Sequence, residues 1–320
     1  MERSAAPYVV GMDIGGTNTV FGIVGEEGEI LCQDSVKTQA YHDVAVYVGA
    51  VVGKLAPMIE KVGGKEKVRG MGICAPLGNY YTGNIENAAN LPWKGIVPLA
   101  SLFSEALGIP VKLTNDADAA AMGEMIYGAA RGMKDFIMLT LGTGVGSGIV
   151  ANGQLIYGSD GFAGELGHVI VRRNGRPCGC GRKGCLETYC SATGVANTAR
   201  EFLKEKSEES LMRSVTPESI TSKDVFDAAQ KGDKLALEVF DFTGEILGEA
   251  VADFIAFSSP EAVVFFGGLA NAGELLFKPM RESVEKNVLY TYKGKTKLLV
   301  SSLKGDDAAL LGASALGWEA

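Results

Sequence analysis

Short apolar runs alternate along the chain with longer segments whose apolar residues recur at helical spacing. Tyr8-Val9-Val10-Gly11-Met12-Asp13-Ile14 reads as a buried strand and Gly15-Gly16-Thr17 as a tight turn. A second strand is predicted over 19–24, and a third over 29–36 after the turn signal Glu26-Glu27-Gly28. Turns this short favour an antiparallel meander. Residues 43–62 form a helical run with Asp43 as its N-cap. The pattern then predicts a strand at 68–75 ending at Pro76, a helix at 101–107 closed by Gly108, and a strand at 111–114. An Ala-rich helix over 115–127 begins directly after it.

A second, similar series follows. Strands are predicted at 136–141 and 145–151, joined by Gly142-Thr143-Gly144. An irregular stretch rich in Gly, Cys and Arg covers 172–185. Helices are expected near 191–206, 222–230 and 233–257, and an apolar strand at 262–266 ends in Gly267-Gly268. A helix around 278–288, a strand at 297–301 and a small-residue helix at 308–316 complete the series. Strand-turn-strand units carrying an acid or a threonine among glycines thus occur near positions 13 and 143. This is an internal repeat of architecture: two similar α/β domains, with a cleft expected between them.

Composition agrees with that picture. The 320 residues are more than twice the ~150 usual for one domain. Apolar residues make up 47% and charged residues 21%, enough to bury a core and to exclude disorder. Thirty-eight acids against thirty bases leave a net charge of −8, which argues against nucleic-acid or anionic-membrane partners. Charge, Gly or Pro interrupts every apolar stretch before the ~18 residues of a membrane span. The opening Met1-Glu2-Arg3-Ser4-Ala5-Ala6-Pro7 has no signal-peptide core, so a cytoplasmic protein is expected. Its six cysteines then read as thiols or metal ligands before disulfides.

Three of those cysteines carry chemistry. Cys178, Cys180 and Cys185 sit on one Gly-rich loop, and His168, one of only two histidines, lies ten residues upstream. Three Cys and one His are a usual composition of a closed structural zinc site. The alternatives are a loose set of reduced thiols, or a zinc ribbon for nucleic acid, which the acidic charge and the missing second CxxC half disfavour. Cys32, Cys74 and Cys190 read as small core residues.

The glycine turns point to phosphate. Asp13-Ile14-Gly15-Gly16-Thr17-Asn18-Thr19 puts a carboxylate at a strand end, then backbone donors and a hydroxyl, which suits a metal-bridged polyphosphate. Leu141-Gly142-Thr143-Gly144-Val145-Gly146 has a dinucleotide-like spacing, but it joins two strands and opens no helix. The two turns together read as a phosphate clamp with one jaw per domain. Gly267-Gly268-Leu269 can let a flat base approach the backbone. Among the acids, Asn115 or Asp116 at the strand-to-helix junction can be an N-cap, or the base an enzyme places at a strand end. Glu165 and Glu187 flank the cysteine loop, either as a polar pocket for sugar hydroxyls or as solvated acids.

In series these motifs resemble the ROK (repressor, open reading frame, kinase) family of the sugar-kinase, heat-shock and actin ATPase superfamily. The DIGGT at 13–17, NDA at 115–117, LGTGVGSG at 141–148, ExGH at 165–168 and CxCGxxGCLE at 178–187 occur in family order over nearly the whole chain. The resemblance implies an α/β, two-domain actin-like ATPase (ribonuclease H-like) fold with a cleft between the domains. The N-terminal domain would be 1–115, completed by a C-terminal helix at about 306–320, and the larger domain with the zinc loop 116–305.

The resemblance also implies roles. Asp116 would be the general base that takes the proton of the attacking sugar hydroxyl. Asn90, Asn115, Glu165, His168 and Glu187 would hold sugar hydroxyls, and His168, Cys178, Cys180 and Cys185 structural Zn²⁺. Asp13, Gly15, Gly16, Thr17, Asn18, Thr143 and Gly144 would embrace the phosphates of ATP with its Mg²⁺, and Gly267, Gly268 and Leu269 the adenosine. Asn18 stands where many members carry a lysine. The activity implied is phosphorylation of a hexose, glucose first, by a homodimer or homotetramer. Kinases for N-acetylglucosamine, N-acetylmannosamine, fructose, mannose or allose share the motifs. A sugar-responsive repressor would need a helix-turn-helix ahead of the first strand, and only seven residues precede it here. A sugar-binding protein without catalysis would be expected to have lost Asp116 or the phosphate turns.

Overall fold

A computed structural model describes residues 6–303 and 307–320. The first five residues of the predicted targeting-free opening, and residue 306 of the predicted C-terminal segment, lie outside the described residues. The chain divides into two compact units. Unit 1 comprises the residues up to Met133, Gln154–Ala163 and Ser301–Ala320; unit 2 comprises Lys134–Gly153 and Gly164–Val300.

Unit 1 is built on strands β1 (Tyr8–Ile14), β2 (Asn18–Gly25), β3 (Ile30–Lys37), β4 (Val68–Cys74) and, after the two-residue hairpin strands β5 (Ile85–Glu86) and β6 (Ile96–Val97), β7 (Val111–Thr114). The sheet order is β3-β2-β1-β4-β7. The predicted meander is antiparallel, and β4 and β7 run parallel to β1. Alternation divides β1 between two faces. Val10, Met12 and Ile14 are buried with Tyr47, Val51 and Leu55 of helix α1 (Val44–Lys61) and Phe103 of α2 (Leu99–Leu107). Asp43 caps α1 as predicted, accepting the Ala45 and Val46 N–H groups. The β5/β6 hairpin is too short to leave a periodic signal.

The other face of the sheet is covered almost backbone to backbone. A Cβ at Gly72 would lie 1.9 Å from the Ala313 carbonyl oxygen, and one at Gly11 2.5 Å from that of Leu310. The last helix of the chain, Asp307–Gly317, is therefore restricted to small residues where it crosses β1 and β4. The helix Asp116–Ile126 (α3) packs on it in the same way, since a Cβ at Gly312 would meet the Ala119 carbonyl oxygen at 2.8 Å. Residues 116–133 consequently group with unit 1, where the sequence reading began the second domain.

Unit 2 repeats the plan. Its antiparallel hairpin is β8 (Phe136–Leu141) and β9 (Val145–Ala151); after the two-residue β10 (Gln154–Leu155) come β11 (Ala262–Phe266) and β12 (Lys297–Val300). Through these longer strands the order is β9-β8-β11-β12, with β11 and β12 parallel to β8. Helices α4 (Glu187–Cys190), α5 (Ala192–Glu205), α6 (Ser222–Gln230), α7 (Lys234–Ser258) and α8 (Glu274–Asn287) surround them, and the terminal Asp307–Gly317 is α9. The helix expected at 191–206 starts at Ala192, because Ser191 is its N-cap and accepts the Gly194 N–H. The helix expected from 278 starts at Glu274. Pro279 imitates a first-turn proline but lies inside the helix, against Gly244 of α7, where a Cβ would be 2.6 Å from its ring. Among the described residues no helix is long and apolar enough to cross a membrane.

Candidate active site

Three parallel strand ends of unit 1 bring the first group of side chains together. Asp13 on β1 pairs in register with Cys74 on β4, and Cys74 with Thr114 on β7, two residues before Asp116. Ligand atoms of Asp13, Cys74 and Asp116 all lie within 4.8 Å of one another. The Cys74 thiol donates to Asp13 Oδ1 at 3.1 Å, so this cysteine is more than the core filler its sequence context implied. Burial raises the Asp13 pKa, and that hydrogen bond pulls it partly back. Asp116 remains open at its surface, yet the protein around its carboxyl group, and then the Asp13 charge, push its pKa up to about 7.

Capping at this junction is done by Asn115. Its side-chain oxygen accepts the Asp118 N–H at 2.8 Å, while its amide donates to Asp118 Oδ2 at 3.0 Å. Thr114 Oγ1 donates to the same oxygen at 3.0 Å, and Asp118 is buried. Asp118 thus locks the start of α3, leaving Asp116 as the exposed acid. Of the Asn115 side chain, one amide hydrogen remains for a ligand.

The Gly15–Thr17 turn is closed by Gly15 N donating to Asn18 O at 2.9 Å. Asn90 sits against it: a Cβ at Gly16 would lie 3.3 Å from the Asn90 carbonyl oxygen and 3.5 Å from its amide nitrogen. Residues that the sequence reading missed brace this turn. Thr38 Oγ1 donates to Gly15 O at 2.8 Å, and Gln39 Nε2 donates to Gly16 O at 2.6 Å and to Asn90 O at 3.0 Å. Behind it, the Thr19 hydroxyl bonds the Thr38 and buried Tyr47 hydroxyls at 3.0 and 2.9 Å.

In unit 2 a cavity of about 410 Å³ opens beside the β8–β9 turn. Thr143, Gly268 and Leu269 line it, with Phe226 and Phe240 adding apolar walls that the sequence pattern did not assign. Gly267 lies one residue outside the lining. Its φ of 104°, and a Leu141 carbonyl oxygen only 2.6 Å from where a Cβ would stand, exclude any other residue there. A flat, largely apolar ring fits such walls. Gly144 instead makes room for Glu187, whose Oε2 would lie 2.2 Å from a Cβ at that position.

Glu187 is fixed from two sides. Its Oε2 accepts the Val145 N–H at 3.2 Å and its Oε1 the Cys178 thiol at 3.5 Å. Glu165 is exposed, with Oε2 3.9 Å from His168 Nε2. The other ring nitrogen, Nδ1, is 3.6 Å from Cys178 Sγ, and Cys180 Sγ is 3.7 Å from Cys185 Sγ. A tetrahedral zinc with Zn–S of about 2.3 Å and Zn–N of about 2.1 Å separates two sulfurs by about 3.8 Å, and sulfur from nitrogen by about 3.6 Å. These two separations match that geometry, and the four ligand atoms of His168, Cys178, Cys180 and Cys185 all lie within 4.8 Å of one another. Arg176 staples the loop behind them: it donates to Glu201 Oε1 at 2.8 Å, the Thr188 carbonyl oxygen at 2.9 Å and Thr198 Oγ1 at 2.9 Å, and stacks on Tyr189.

Residues 9–319 match the model of the ROK family. The chain belongs to the ROK family. It is 37% identical over 314 residues to a glucokinase of Thermotoga maritima, covering 96% of each chain. It is 27% identical to a xylose repressor of Caldicellulosiruptor bescii, covering 96% of this chain and 77% of that one. A solved ROK family glucokinase from Streptomyces griseus, in complex with glucose and AMPPNP, superposes with a TM-score of 0.75 at 32% identity over 98% of this chain and 100% of that one. The fold is the two-unit, actin-like ATPase fold of the ROK sugar kinases.

Proposed function

We propose that the protein is an ATP-dependent hexose kinase that converts glucose to glucose 6-phosphate in the cytoplasm. Full-length similarity to glucokinases supports the substrate, and Asp116 carries the chemistry. Phosphoryl transfer asks the protein for position and charge more than for covalent work. Asp116 takes the proton of the attacking hydroxyl, and a pKa near 7 suits an acceptor working near neutral pH. Asn90, Asn115, Glu165, His168 and Glu187 orient the sugar.

Gly15, Gly16, Thr17, Asn18, Thr143 and Gly144 hold the phosphates, and Gly267, Gly268 and Leu269 the adenosine, with Phe226 and Phe240 beside the base. Mg²⁺, which ATP brings, would neutralise phosphate charge near Asp13, whose carboxylate stands in the Asp13–Cys74–Asp116 group. Zn²⁺ on His168 Nδ1, Cys178, Cys180 and Cys185 would fix the loop that aims Glu187 and His168 Nε2. An ADP-coupled assay across a panel of hexoses tests the reading. Glucose is expected to give the highest kcat/KM, and preference for another hexose would replace it as the substrate.

A further inference from the structure

The β1–β2 turn faces an electrostatic problem. Its backbone N–H groups can meet phosphate oxygens, but Asp13 and Asp116 stand at the same strand ends. A polyphosphate brought there adds several negative charges, so a fixed cation on the protein would be needed alongside any metal.

One is present. Lys37 Nζ donates to Asn18 Oδ1 at 2.8 Å, and Asn18 follows the turn directly. Strand register puts both side chains on the Asp13 face. Asp13 pairs with Val20, Val20 with Ser35, and Asn18 with Lys37 two residues further along both strands. The intervening Thr19 and Val36 are buried on the opposite face, where Thr19 meets Tyr47. The two residues just after Lys37 are fastened to the turn three times, once by backbone and twice by side chain: Thr38 N to Thr17 O at 2.9 Å, Thr38 Oγ1 to Gly15 O at 2.8 Å and Gln39 Nε2 to Gly16 O at 2.6 Å. Lys37 itself is exposed, and its ammonium is held by a neutral amide. The charge is therefore positioned without being cancelled.

We infer that Lys37 is the unit 1 cation that contacts the phosphates of the nucleotide, with Asn18 as the residue that positions it. The inference rests on the kinase reading and assigns a charge within it. Lys37→Met removes the charge at nearly constant length, and Lys37→Arg restores it. Binding of AMPPNP with Mg²⁺, measured by calorimetry, is expected to weaken roughly tenfold or more in Lys37→Met, as for loss of a charged hydrogen bond, and to recover largely in Lys37→Arg. Asn18→Ala is expected to weaken it less. Sugar KM and melting temperature should stay near wild type, because the residue is exposed. Lys37→Met binding AMPPNP within twofold of wild type would overturn the assignment while leaving the kinase reading intact. Wild-type protein that neither binds AMPPNP nor phosphorylates any hexose would overturn both.

Discussion

Asn115 Oδ1 accepts the Asp118 backbone N–H at 2.8 Å, which settles which residue caps α3. Asp116, one position on, is free of that duty. Asp116→Asn should therefore leave the fold intact while removing the proton acceptor, and general-base catalysis is worth roughly 10²–10⁴-fold. We expect kcat to fall at least a hundredfold at neutral pH, with ATP binding close to wild type and a melting temperature no lower than that of wild type. A variant retaining near-normal kcat would remove Asp116 from the chemistry. Asp118 would be a poor substitute, because it is buried in the cap.

The raised pKa of Asp116 makes two pH predictions. Activity needs the deprotonated base, so kcat/KM should fall as pH drops through about 7. For stability the sign is opposite. A carboxyl whose folded pKa is raised favours the fold below its unfolded value near 4, and that advantage is lost as pH rises towards about 7. The melting temperature of Asp116→Asn relative to wild type should thus increase between pH 4 and pH 7. A difference that is flat or falls over that window would show that the carboxyl is well solvated.

Much of this was legible in the chain. Asp13, Gly15, Asn115 and Asp116 sit at strand ends flanked by clear apolar runs, and the cysteine loop announces itself by spacing. Other parts lay beyond local pattern. Cys74 looks like any small core residue until parallel pairing sets it beside Asp13. Thr38, Gln39 and Lys37 come to the Gly15–Thr17 turn only through β2–β3 register. Phe226 and Phe240 reach the cavity from α6 and α7, by tertiary packing alone. The boundary after 115 misled for a related reason. Glycine contacts between α3 and α9 bind residues distant in the chain, and no periodicity encodes them.

The sulfur and nitrogen spacing of the cysteine loop predicts about one equivalent of zinc in the purified protein. Cys180→Ser should lower zinc content, melting temperature and sugar affinity together, because the same zinc would hold His168 and the loop touches Glu187 through Cys178. Fully active wild-type enzyme without zinc by metal analysis would contradict this.

The proposed role of Glu165 can be tested by separating sugar binding from nucleotide binding. It is exposed beside His168, and its carboxylate makes no other ion pair among the described residues. Glu165→Ala should raise the sugar KM roughly tenfold through loss of a charged acceptor, with the ATP KM nearly unchanged. Equal rises in both would point to damage of the fold.

Phosphorus NMR of the wild-type protein mixed with glucose, ATP and Mg²⁺ tests the central claim most directly. The account predicts that the ATP γ-phosphate resonance is replaced by that of glucose 6-phosphate, one for each ADP formed. ATP that stays intact, or that yields inorganic phosphate with no sugar phosphate, would contradict it.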